Sequence, residues 1–105
     1  MKIKHIIATA LLTLTISTAV LADDCNQIKN NDLRHLCRGE TIMINDSDLR
    51  QFSAGNCDLI KDSDWRNVCY RKTDQVRDSD LRNLAAGDCF LIKDDDLRKL
   101  CRGMR

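Results

Sequence analysis

One pattern recurs along this chain at a fixed spacing of 16 residues, with no insertion. It runs Asn30-Asn31-Asp32-Leu33-Arg34, Asp46-Ser47-Asp48-Leu49-Arg50, Asp62-Ser63-Asp64-Trp65-Arg66, Asp78-Ser79-Asp80-Leu81-Arg82 and Asp94-Asp95-Asp96-Leu97-Arg98. A strict period of this kind marks a repeat array in which every unit is one supersecondary element and neighbours bury each other's apolar faces. The units begin at residues 25, 41, 57, 73 and 89.

Aligning the units gives columns. The fourth position is Ile28, Ile44, Ile60, Val76 and Ile92. The ninth is Leu33, Leu49, Trp65, Leu81 and Leu97, and the twelfth is Leu36, Phe52, Val68, Leu84 and Leu100. Positions nine, twelve and thirteen stand at i, i+3 and i+4, the apolar stripe of a short helix. Asn or Asp at position six precedes the stripe as an N-cap, and Asp at position eight falls in the first turn, where negative charge suits the helix dipole. Glycine at position fifteen (Gly39, Gly55, Gly87, Gly103) is the expected stop, with Arg71 in that place in the third unit. A shorter helical turn is expected through positions one to five, with position four facing inward. Proline is absent and no β-type alternation occurs. The expected fold is all-α, a small α-solenoid of five helix-turn-helix repeats.

The six cysteines form pairs 12 residues apart in the odd units: Cys25 and Cys37, Cys57 and Cys69, Cys89 and Cys101. The midpoint of each pair lies in the cap region, so an antiparallel hairpin folded there brings the two sulfurs level. The even units replace both partners together, by Thr41 and Ser53 and by Thr73 and Ala85. Six cysteines allow many connectivities, but this joint loss points to pairing within units. Each bridge would contribute about 3 kcal/mol in the chain-entropy model, a large share for a domain too small to build an ample core.

The N-terminus carries Lys2 and Lys4, an apolar run from Ile6 to Val20, and Val20-Leu21-Ala22. This reads as a secretory signal peptide over residues 1–22, cut after Ala22, leaving 23–105 as a single helical repeat domain. The alternative, an uncleaved anchor, is disfavoured because the run falls short of the ~20 residues that span a bilayer. Asp23 and Asp24 sit where a lipoprotein signal needs small neutral residues, which argues against a lipid on Cys25. Export places the cysteines in an oxidising compartment, periplasmic or extracellular. Removing Lys2 and Lys4 takes the basic residues from 17 to 15 against 16 acids, a net charge near −1. That is no footprint for nucleic acid, and no membrane insertion is expected after cleavage.

The arrangement resembles short exported proteobacterial proteins built from C-x2-I-x-D-x-D-[LW]-R-x2-C units. The resemblance spans the whole mature chain and implies export and repetition, but no activity.

Chemistry is sparse. Zinc sites favour ligands about two to four residues apart, and the mature chain has neither close cysteine pairs nor any histidine besides His35. Calcium needs about six oxygens, usually with a glycine bend, whereas each unit offers two or three carboxylates followed by an arginine. Neither a metal nor another cofactor is expected. The arginine column (Arg34, Arg50, Arg66, Arg82, Arg98) is either a stripe for anionic glycans or an acidic partner, or a ladder of ion pairs with Asp of neighbouring units; the matched columns favour the ladder. A nucleophile needs a positioned base, no C-x-x-C is present, and carboxylate pairs recur in every unit at capping positions, so no enzyme is expected.

Departures from the repeat remain. The central unit places Trp65 in a leucine column and Tyr70, Arg71 and Lys72 after Cys69, while Phe90 stands in a column otherwise Asn, Ile, Asp and Asp. Trp, Tyr and Arg dominate interface hot spots, so these five residues are the candidate partner-binding set. Trp65 can equally be a larger core plug. The functional expectation is an exported protein-binding module, in its sharpest form an immunity or inhibitor protein neutralising an enzyme or toxin in the periplasm. The alternative is an envelope structural or stress protein binding calcium or anionic glycans through its Asp and Arg columns.

Overall fold

A computed structural model describes residues 24–104. The expected signal peptide lies outside these residues. Five α-helices repeat at the period of the sequence: α1 (Asn31–Arg38), α2 (Ser47–Ala54), α3 (Ser63–Tyr70), α4 (Ser79–Ala86) and α5 (Asp95–Met104). Short 3-10 turns separate them at Thr41–Met43, Cys57–Leu59, Thr73–Gln75 and Cys89–Leu91. Among the described residues there is no strand.

Local sequence accounts for each helix. The side chains of Asn30, Asp46, Asp62 and Asp78 accept the backbone N–H three residues on, and Asp94 does the same for Leu97. These caps satisfy donors that the first helical turn leaves free. In the second to fifth units the turn at the head covers positions one to three and ends before the inward residue. Position four is extended: Ile44 has φ −82 and ψ 124. Ile28, Ile44, Ile60, Val76 and Ile92 are nevertheless buried, as the pattern required.

The odd units are stapled within themselves. Cys25–Cys37, Cys57–Cys69 and Cys89–Cys101 are bonded, with Cα separations of 5.6, 5.5 and 5.5 Å. The second unit puts a hydrogen bond in the same place, between the hydroxyls of Thr41 and Ser53 at 2.5 Å. In the fourth unit Ala85 has no polar group to offer, and nothing replaces the staple at that place.

Between units the joint is polar and identical. The Asp48 carboxylate accepts the backbone N–H of Lys61 at 2.9 Å and of Asp62 at 3.0 Å, using one oxygen for each. Asp32 holds Asn45 and Asp46 in this way, Asp64 holds Arg77 and Asp78, and Asp80 holds Lys93 and Asp94. Asp96, in the last unit, holds Lys29 and Asn30 of the first, both at 3.0 Å. The solenoid therefore closes on itself. Helix α5 packs against α1 as each helix packs against the next, and the five units form a ring.

Closure explains the last glycine. Gly39, Gly55 and Gly87 end their helices with φ of 76, 82 and 80, but α5 runs through Gly103 to Met104. A Cβ on Gly103 would lie 2.3 Å from Cys37 Sγ and 2.9 Å from Cys25 Sγ. Gly103 is not the stop expected of it; it lets the seam close against the first unit's disulfide.

The core lies inside the ring. Trp65 packs against the buried cluster of Ile28, Leu36, Ile44 and Leu100 and also against that of Val68, Val76 and Leu81. Its ring meets Phe52 edge-on at 5.2 Å between centroids. Leu97 reaches the same two clusters and the third, built on Cys89, Ile92 and Cys101. Position nine thus bridges across the ring, and the tryptophan is the largest of its side chains.

Candidate functional site

The Asp and Arg columns are the charged groups that the units repeat. The arginine at position ten turns onto its own unit. Arg66 donates to the carbonyl oxygens of Ile60 at 3.0 Å and Lys61 at 3.4 Å. Arg34, Arg50, Arg82 and Arg98 bond the equivalent carbonyls. Among the described residues, ion pairs within 4 Å join His35 and Arg38 to Glu40, and Arg98 and Lys99 to Asp95; none links an arginine to the Asp of a neighbouring unit. The expected ion-pair ladder is thus replaced by a clamp on carbonyls. The physical reason is that the extended linker at positions four to six has no partner strand or helix, so its carbonyls and N–H groups must be met by side chains. Arginine meets the first, and the preceding unit's aspartate meets the second.

These bonds set the acidity of the aspartates. The two backbone N–H donors of the next unit hold Asp48, Asp64 and Asp80 below the ordinary carboxylate range, against a smaller desolvation that acts the other way. The following unit's basic residues, Arg66, Arg82 and Arg98 among them, push in the same direction. A cation at these carboxylates would have to compete with two amide donors. Among the described residues no group of three or more His, Cys, Asp or Glu side chains is placed to hold a metal ion.

Among the residues singled out as departures, Trp65 is half-buried and accounted for by packing. Tyr70, Arg71, Lys72 and Phe90 are exposed. Tyr70 is the last residue of α3, and Lys72 Nζ stands 5.1 Å from the centre of its ring, a cation–π contact. Phe90 belongs to the turn that opens the fifth unit and is 79 % exposed. The first three residues therefore form one surface at the end of α3, and Phe90 lies on another unit.

Arg71 is the sharpest feature of that surface. Its φ is 61, the one positive value outside glycine among the described residues. The end of α3 is tied as the glycine-ended helices are: Arg71 N–H donates to Val68 O and Lys72 N–H to Asn67 O, at 3.0 and 2.9 Å. The cap forces a side-chain-bearing residue into the left-handed region, which costs about 1–2 kcal/mol.

Two depressions flank this helix end. The more enclosed, of about 380 Å³, is lined by Phe52, Val68, Cys69, Leu84, Ala85 and Cys101, with Arg71 and Met104 at the helix ends. The other, an open hollow of about 440 Å³, is lined by Gly55, Asn56, Cys57, Asp58, Leu59 and Tyr70. Gly55 and Cys57 border both, so Tyr70 and Arg71 stand between the two. The sequence pointed to Tyr70 and Arg71 but missed the exposed apolar residues at positions two and three: Ile42, Met43, Leu59 and Leu91. The available signal was the third-position column, polar in the first and fourth units (Gln27, Gln75) and apolar in the others (Met43, Leu59, Leu91).

Fold and surface together define a closed ring of five short helical repeats, stapled in alternate units. Three disulfides suit an oxidising compartment. Among the described residues no helix is long and apolar enough to cross a membrane. No family model matches the chain, and neither a curated protein nor a solved structure matches it.

Proposed function

We propose that this chain is an exported protein-binding module that docks its partner through the surface formed by Tyr70, Arg71 and Lys72. The observation that carries the reading is the backbone of Arg71. Three sister units place glycine in the same left-handed cap, so the arginine there is a local expense of stability with no packing return. Strain retained at an exposed arginine, beside an aromatic residue and between two depressions, is the mark of a position kept for contact. The ring around it is stapled by three disulfides, which limits the conformational freedom left to lose on docking. In its sharpest form the module neutralises an enzyme or toxin acting in the periplasm.

The test is to express the chain with its own N-terminus and a C-terminal tag in an oxidising periplasm, purify it gently, and identify what travels with it. One stoichiometric protein, lost from Tyr70→Ala and Arg71→Ala variants, is the expected result. Retention of that partner by both variants would remove this surface from the account. Binding of calcium or anionic glycan that weakens in steps as equivalent Asp or Arg residues are replaced would put the envelope reading in its place.

A further inference from the structure

The exposed apolar residues are not spread evenly round the ring. The second unit shows Ile42 and Met43, and the third shows Leu59 and Tyr70, at 94, 53, 60 and 42 % exposure. The fifth shows Phe90 and Leu91, at 79 and 50 %. The first and fourth units carry Asn26-Gln27 and Asp74-Gln75 at the same positions. Because Asp96 closes the fifth unit onto the first, the order round the ring is two, three, four, five, one. The fifth unit therefore lies across the ring from the junction of the second and third. Two exposed apolar edges thus stand on opposite sides of the ring, each bounded by polar units.

The edges differ in shape and charge. The fifth unit presents a knob, Phe90 with Leu91, preceded by the exposed Asp88. The other presents the open hollow walled by Leu59 and Tyr70, with Arg71 and Lys72 beside it. Asp58 on the hollow's wall has a counterpart in Lys93 on the knob side. A projecting aromatic flanked by an acid, and an apolar hollow flanked by bases, suit each other, and one molecule cannot join its own opposite edges.

We infer that a second copy of this chain is the occupant of the Leu59–Tyr70 hollow, inserting Phe90 and Leu91 with Asp88 against Arg71 and Lys72. The contact is head-to-tail. Each copy keeps a free knob and a free hollow, and association continues beyond two unless the rotation closes. This rests on the reading of the Tyr70–Lys72 surface as a protein-docking surface and names its partner.

The experiment uses substitutions the chain already makes at equivalent positions, which protects the fold. The knob variant is Phe90→Asn with Leu91→Gln, as in the first unit. The hollow variant is Leu59→Gln with Tyr70→Ala, as in the fourth. Intact disulfides in each are checked by mass under non-reducing conditions. Wild type should show a concentration-dependent mass in sedimentation velocity, weakening with salt. Each variant alone should associate at least tenfold more weakly. Mixed in equal amounts, the two should form a species of twice the monomer mass that grows no further, because each supplies the edge the other lacks. A monomeric wild type, a variant that associates like wild type, or a mixture that stays monomeric would overturn the inference. If wild type is monomeric while Arg71→Ala still releases a co-purifying protein, the docking surface stands and only the identity of its occupant is wrong. If Arg71→Ala releases nothing and wild type is monomeric, both fail.

Discussion

The two ends of each helix follow different rules. At the N-terminal end all five units do the same thing: position six caps its own helix, position eight holds two amides of the next unit, and position ten holds two carbonyls of its own. At the C-terminal end the units part company. Gly39, Gly55 and Gly87 turn the chain, Arg71 makes the same turn under strain, and Gly103 stays helical to admit a disulfide. The uniform end is construction, because a joint must be repeated to close a ring. The varied end is where the chain can differ without opening a joint, and Tyr70 and Arg71 lie there.

Acid acts together on the joints made by Asp48, Asp64 and Asp80, and the largest effect is expected from it. Asp48, Asp64 and Asp80 have folded values below their ordinary one of about 3.9. Their contribution is therefore complete above that value and is lost as pH falls through the lowered folded values. Thermal unfolding followed from neutral pH downward should show the melting temperature collapsing in that window, with a shallower acid limb in Asp48→Asn. An unchanged melting temperature there would remove the carboxylates from the joints.

Next in size is the staple. Replacing Cys57 and Cys69 together by the Thr and Ser of the second unit should cost about 3 kcal/mol in denaturant unfolding, less whatever the new hydroxyl pair returns. At the seam, Gly103→Ala drives a methyl group into the Cys25–Cys37 sulfurs and should cost about 1–3 kcal/mol. Gly39→Ala lacks that crowding, since nothing lies within 4 Å of its added Cβ, and meets only the backbone penalty of its positive φ. The smallest effect has the opposite sign. Arg71→Gly should stabilise by about 1 kcal/mol while weakening partner binding. A stabilised variant that binds as before would break the link between strain and function.

Much of this was legible from residues 25–105. Period, helix register, caps and disulfide pairing are local, and a 16-residue unit states them five times. The roles of Asp48 and Arg66 were half legible. Their columns were evident, but spacing does not show whether a guanidinium meets a carboxylate or a carbonyl, and the backbone of an unpaired linker outbid the neighbouring acid. Closure was not legible from any one unit, because it depends on the rotation accumulated over all five. One signal did exist. The end units of an open array usually carry altered, polar outer faces, whereas the first and fifth units here keep the full set of columns, Asp32 and Asp96 included. Phe90 and Leu59 were partly hidden for a related reason: opposite edges have no meaning until the ring is closed.

The ring depends on Asp96 reaching the first unit, and amide hydrogen exchange reads that contact directly. The N–H groups of Lys29 and Asn30 should be protected to the degree of Lys61 and Asp62, which Asp48 holds inside the array, and should lose protection in Asp96→Ala while Lys61 and Asp62 keep theirs. Lys29 and Asn30 exchanging as free chain beside protected Lys61 and Asp62 would mean an open array, with no opposite edges and no ring.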